Sequence, residues 1–138
     1  MKAQHSTYAD ASDAAPLDSY AAFLDRKAQL DGMHGFEPVW MPDFLFDFQR
    51  ALVEWNLRKG RAATFADCGL GKTAMELVWA QNIVQRENSP VLLITPLAVS
   101  QQTMEEAHKF GIEAHVSRDG AVRPGINITN YEGCTCSR

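Results

Sequence analysis

The sequence predicts an α/β fold in which helices form three layers with a parallel sheet. Two observations carry this expectation. Short apolar runs alternate with amphipathic stretches of about 10–15 residues, and a glycine-bearing turn ending in Gly-Lys-Thr joins one such run to one such stretch. A length of 138 residues with 46 % hydrophobic and 22 % charged side chains suits one globular domain rather than a disordered or collagen-like chain.

Taken in order, residues 1–15 are small and polar and read as a mobile leader. Residues 16–43 form an N-terminal helix and connector. The helix is expected over 16–30, with Pro16 in its first turn, Asp18 near its positive end, and Tyr20, Phe23, Leu24 and Ala28 on one face. Gly32 and Gly35 end it, and the two prolines of residues 36–43 make an extended connector. Phe44, Phe48, Leu52 and Trp55 then recur at helical spacing up to a stop at Gly60, which predicts a helix over 44–59 with those four residues toward the core. Residues 62–66 (Ala-Ala-Thr-Phe-Ala) read as a short buried strand. A helix over 72–86 is apolar on more than one side (Met75, Leu77, Val78, Trp79, Ile83, Val84), so it should pack on a sheet and on a neighbour together. Strands are expected at 91–95, 113–116 and 126–129, with a helix over 97–110 ended by Gly111. Residues 133–138 show no periodicity, and no internal repeat is present.

Composition excludes several classes. No apolar run approaches the ~20 residues of a membrane span, and the N-terminus has no apolar core after its lysine, so no signal peptide is read there. Three cysteines do not make a disulfide framework. A soluble, cytoplasmic chain without membrane partners is expected. The formal net charge is −4, but residues 1–47 hold 8 acids and 3 bases, so the acidic excess lies in the N-terminal third and the remainder is near neutral. The four histidines are scattered, and Cys134 with Cys136, one residue apart, does not match a zinc spacing.

The chemistry is concentrated in residues 66–73, Ala66-Asp67-Cys68-Gly69-Leu70-Gly71-Lys72-Thr73, between an expected strand and an expected helix. This is a phosphate-binding loop (Walker A) with alanine in place of the first glycine. Gly69 and Gly71 let the main chain turn its N–H groups toward phosphate oxygens, and the helix entered at Lys72 points its positive end at the same anion. Lys72 supplies a mobile positive charge to the β and γ phosphates, and the Thr73 hydroxyl ligates Mg²⁺. The plainer alternative is a glycine-rich turn that only caps a helix. Cys68 is read as a small filler at a variable position, with a reactive thiol as its alternative.

Four stretches together resemble superfamily 2 helicases, in particular the Swi/Snf-like branch of phage and bacterial genomes. Residues 65–73 look like motif I, and Leu45-Phe46-Asp47-Phe48-Gln49 resembles the adenine-reading glutamine motif. Thr95-Pro96-Leu97-Ala98-Val99-Ser100-Gln101-Gln102 is similar to motif Ia, and Ile128-Thr129-Asn130-Tyr131-Glu132 to motif Ib. The loop is one residue shorter than in eukaryotic Swi/Snf members. The resemblance implies a P-loop NTPase (RecA-like) lobe over residues 44–132, binding ATP and Mg²⁺ and acting with DNA. It implies that Gln49 reads the adenine edge, a solvated helix residue being the alternative, and that Phe48, otherwise a core residue by its spacing, lies near the base. Thr95, Gln102, Thr129 and Asn130 would touch the phosphate backbone of one DNA strand, with ordinary capping and turn chemistry as the alternative. Tyr131 is expected to be partly buried rather than stacked on a base.

The resemblance also shows what the sequence lacks. The family's Asp-Glu box should follow motif Ib, yet the sequence contains no Asp-Glu dipeptide, and Glu105-Glu106 falls on a solvated helix face. Motif III and the second lobe, with its arginine fingers, have no counterpart either. The expectation is therefore an incomplete first lobe of a helicase-like ATP hydrolase, cut short by early termination or a frameshift, that binds nucleotide and turns it over poorly. The alternatives are a non-catalytic module holding nucleotide or a protein partner, and a small P-loop kinase. The upstream glutamine motif and the want of an arginine-rich lid segment stand against the kinase.

Overall fold

The computed structural model describes residues 20–23, 32–118 and 120–131. The leader (1–15), most of the expected helix at 16–30 and the tail (133–138) lie outside the described residues. The chain divides into two units, residues 1–32 and 33–138. In the first, Tyr20–Phe23 are helical and the rings of Tyr20 and Phe23 stack at 6.3 Å. The second carries helix α1 (Asp47–Lys59), helix α2 (Lys72–Glu87), strand β1 (Val91–Ile94), helix α3 (Leu97–Lys109), strand β2 (Ala114–Val116) and strand β3 (Ile126–Thr129).

The three strands form one parallel sheet in the order β1-β3-β2. β3 is central and buried along its whole length, as a strand covered on both faces should be. Val91 pairs with Ile126 and Leu93 with Ile128, which sets these four buried side chains on one face. Helices α2 and α3 touch each other and both touch β3, so they cover that same face. On the opposite face Leu92 and Ile94 stay about half exposed. Asn127, also on that face, is buried by binding the β2–β3 loop: its amide accepts from Arg123 N–H (2.9 Å) and donates to the carbonyls of Arg123 (2.7 Å) and Gly125 (3.2 Å). The described residues thus form a mixed α/β arrangement with a small three-stranded parallel sheet.

Helix α1 differs from expectation in which face it buries. The stripe Leu45, Gln49, Val53, Leu57 faces the core, while Phe44, Phe48 and Trp55 are each at least 40 % exposed. The aromatic rings find one another instead: Phe44 stacks on Phe110 at 4.5 Å, and Phe46 stacks on Phe48 at 6.2 Å. Residues 62–66 take no regular secondary structure and join no ladder, and Phe65 is 96 % exposed, so the expected buried strand is not formed. The physical reason is a missing neighbour, since none of the three strands lies alongside to take its main-chain groups or cover its side chains.

Residues 34–36 bind the end of α1. The N–H groups of His34, Gly35 and Phe36 donate to the carbonyls of Lys59, Arg58 and Leu57, which no intrahelical donor can reach. The approach is close enough that a Cβ on Gly35 would stand 1.7 Å from the Leu57 carbonyl oxygen. Gly60, which ends the helix with φ +79°, packs against Gly35.

Candidate phosphate-binding site

Residues 62–67 lead into a turn, and α2 starts at its end, so residues 66–73 sit where a helix opens with unsatisfied N–H groups. Gly69 (φ +82°) and Gly71 (φ +70°) both take left-handed backbone, which explains glycine at each. No side chain caps α2, and its first turn carries no acid, so nothing there competes with an incoming anion. The Lys72 ammonium bends back over the loop and donates to the carbonyls of Ala66 (2.9 Å) and Asp67 (2.8 Å). Asp67, Cys68 and Leu70 are exposed, Ala66 and Thr73 half-buried, and Cys68 is a free thiol.

Gln49 joins this loop from α1. It is 5 % exposed; its side-chain oxygen accepts from Phe46 N–H at 3.0 Å, and its amide donates to the Leu70 carbonyl at 2.9 Å. The solvated-residue alternative is thereby excluded. Phe48 lies neither in the core nor against the loop's main chain; it stacks on Phe46 at the surface.

A cavity of about 550 Å³ borders the loop, lined by Asn56 at the end of α1, by Arg61 and Thr64 just after it, and by Lys72, Met75, Glu76 and Trp79 of α2. Glu76 is exposed as a residue, and partial desolvation of its carboxyl against this wall raises its pKa from the ordinary value. Glu76 is a titratable neighbour of Lys72 that no sequence motif singled out.

A second cleft, about 490 Å³, opens at the C-terminal ends of β2 and β3 against the start of α3. Thr129 and Asn130 line it as expected, together with Ser100, Gln101, Ser117 and Arg118. Two expected members are not in its wall. Gln102 donates to Glu106 (3.1 Å) one turn along α3, the i,i+4 partner its helical position allows. Thr95 is 6 % exposed; its N–H donates to the Thr129 carbonyl at 2.8 Å, and its hydroxyl is buried with no hydrogen-bond partner. Tyr131 is 78 % exposed, contrary to the expectation of partial burial, and lies two residues beyond the last ladder residue, Thr129. Sequence reasoning missed Arg118, whose loop position carries no periodic signal.

Among the described residues no cluster of His, Cys, Asp or Glu suits a metal ion, and no helix is long and apolar enough to cross a membrane. No family model matches the chain, and no curated protein matches it significantly. What the loop offers chemically is two left-handed glycines, an uncapped helix start and one ammonium group. That combination binds anions.

Proposed function

We propose that residues 66–73 hold the polyphosphate of ATP, and that the chain is the ATP-binding part of a helicase-like, DNA-dependent ATPase resembling the Swi/Snf branch of superfamily 2. The observation that carries this reading is the Lys72 ammonium folded over a loop with two left-handed glycines, directly ahead of a 16-residue helix. On this reading the ammonium exchanges its two carbonyl partners for phosphate oxygens. Mg²⁺ fits a site with few protein ligands, since it is commonly held by substrate phosphates and waters with one or two side chains. Here Thr73 would supply the hydroxyl, and the ion would neutralise charge on the β and γ phosphates. Titration calorimetry with a non-hydrolysable ATP analogue tests the site: Lys72→Ala should abolish binding, and unchanged affinity would falsify the assignment.

The second reading, a lobe that holds nucleotide without turning it over, is favoured by one specific observation. The sequence contains no Asp-Glu dipeptide, the pair that would hold Mg²⁺ and orient an attacking water. Phosphate release by the 138-residue chain, with and without DNA, should stay at background; DNA-stimulated release would overturn this reading.

For nucleic acid, the cleft holding Thr129, Asn130 and Arg118 is the proposed seat of a backbone phosphate. Arg118→Ala should weaken DNA binding evenly across sequences and lower the salt slope by about 1. A sequence-dependent loss, or none, would remove Arg118 from that role.

A further inference from the structure

Both ends of the Gln49 amide are bound to main chain. The oxygen closes the start of α1 on Phe46 N–H at 3.0 Å, and the nitrogen holds the Leu70 carbonyl at 2.9 Å. With 5 % of the residue exposed, little of that amide faces solvent or a ligand. A side chain that reads a base edge must present a free donor and acceptor in one plane, because the base offers the complementary pair. Gln49 keeps one N–H and one lone pair beyond these two bonds, but at 5 % exposure the amide is turned into the protein rather than toward open solvent.

The Leu70 carbonyl and the Gly71 N–H belong to one peptide unit, and in a trans peptide they point in opposite directions. Holding the carbonyl toward Gln49 therefore fixes the Gly71 N–H on the other side of that unit. An anion seat needs this: its N–H groups must converge, and any carbonyl turned inward would repel phosphate oxygens. Gly71 is matched to the contact, for a Cβ there would stand 2.4 Å from the Gln49 nitrogen. Alanine at 71 would displace the amide, apart from its unfavourable φ of +70°.

We propose that Gln49 is a positioning residue for the phosphate loop, selecting for the triphosphate rather than for the base. This rests on the phosphate-site reading above. It departs from the adenine-reading role that the helicase resemblance implies for the same residue. It also places the discrimination between adenine and guanine nucleotides outside Gln49.

The test measures Mg²⁺-dependent binding of ATP, GTP and inorganic tripolyphosphate to the 138-residue chain and to Gln49→Met, which keeps the buried volume and removes both hydrogen bonds. Positioning predicts that ATP and tripolyphosphate weaken by the same factor, about tenfold for one lost bond in a preorganised loop, with any ATP-to-GTP ratio unchanged. A base reader predicts loss of ATP affinity and of the ATP-to-GTP ratio while tripolyphosphate is untouched, and that result would overturn the proposal. Hydrogen exchange without ligand supplies a second readout. The amides of residues 69–72 should exchange faster in Gln49→Met while those of β3 do not, whereas loop exchange equal to that of the unaltered chain counts against positioning. Gln49→Glu keeps the acceptor for Phe46 N–H but turns a carboxylate toward the Leu70 carbonyl, so it should weaken tripolyphosphate at least as much. Retained tripolyphosphate affinity in that variant also overturns the proposal. If the unaltered chain binds neither ATP nor tripolyphosphate, the phosphate-site reading falls first and this inference with it.

Discussion

Asn82, fully buried on α2, spends its amide on main chain. Its oxygen accepts from the N–H groups of Val39 and Trp40, and its nitrogen donates to the carbonyls of Trp40 and Val78, all at 2.8 Å. Replacing it with alanine leaves buried main-chain groups unpaired, so Asn82→Ala should cost about 3 kcal/mol, read from chemical denaturation. A loss under about 1 kcal/mol would mean that water takes over those bonds. In the sequence Asn82 was one more polar residue in an apolar helix, because burial of an amide depends on partners 42 and 43 residues away. Gln49 was legible by motif, yet its partner Leu70 was not. Glu76 supplies a pH prediction. Its carboxyl titrates above the ordinary value in the folded chain, so the unfolded state gives up the proton first and ionisation favours unfolding. Stability should fall as pH rises above about 4.5, the unfolded value, until the folded carboxyl ionises as well. Glu76→Gln should remove that decline, with Lys72 and Arg61 as the other charged groups on the same cavity wall. A pH-stability curve identical in the variant would show that desolvation of this carboxyl does not matter to folding.

At the scale of elements, boundaries were easier to read than faces. Helices over 72–87 and 97–109 and strands at 91–94 and 126–129 match the expected spans within a residue or two, since apolar runs and glycine or proline stops mark them directly. The face of α1 was not legible, because four aromatic residues around it advertise a hydrophobic stripe while the buried stripe contains a glutamine. The run at 62–66 has strand composition but no pairing partner, and composition cannot supply one. β1 shows the same point from its own edge. It lies at the end of the sheet order, and Leu92 and Ile94 stand about half exposed on its uncovered face. Unpaired edges with apolar side chains recruit other chains. We expect self-association that grows with concentration in sedimentation velocity and weakens in Leu92→Lys/Ile94→Lys, with a stability change within about 0.5 kcal/mol. Leu93→Ala, on the covered face of the same strand, should instead cost about 2–5 kcal/mol. Equal costs on the two faces would contradict the unequal burial of β1.

For the whole second unit, the loop and the α3 cleft are separate places, one at the start of α2 and the other beyond β2 and β3. A ligand that binds only the folded form stabilises it by mass action, by about 2.7 kcal/mol at a hundredfold excess over its dissociation constant. ATP analogue with Mg²⁺ should therefore raise the melting temperature of the chain and leave that of Lys72→Ala unmoved. A shift that persists in Lys72→Ala would assign binding to some other surface.

The bonding of residues 34–36 to the last turn of α1 bears on how the molecule carries a pull. Together with the Asn82 clip at Val39 and Trp40, it anchors the connector at two points. Force applied before residue 33 reaches the C-terminal turn of α1 and the middle of α2. The last turn of α1 is itself joined to the stretch entering residues 66–73, through Asn56 and Thr64 (2.8 Å), and it lines the same cavity as Lys72. A tether or fusion attached ahead of residue 33 should thus pull on the end of α1 and, through Asn56 and Thr64, on the entry to residues 66–73.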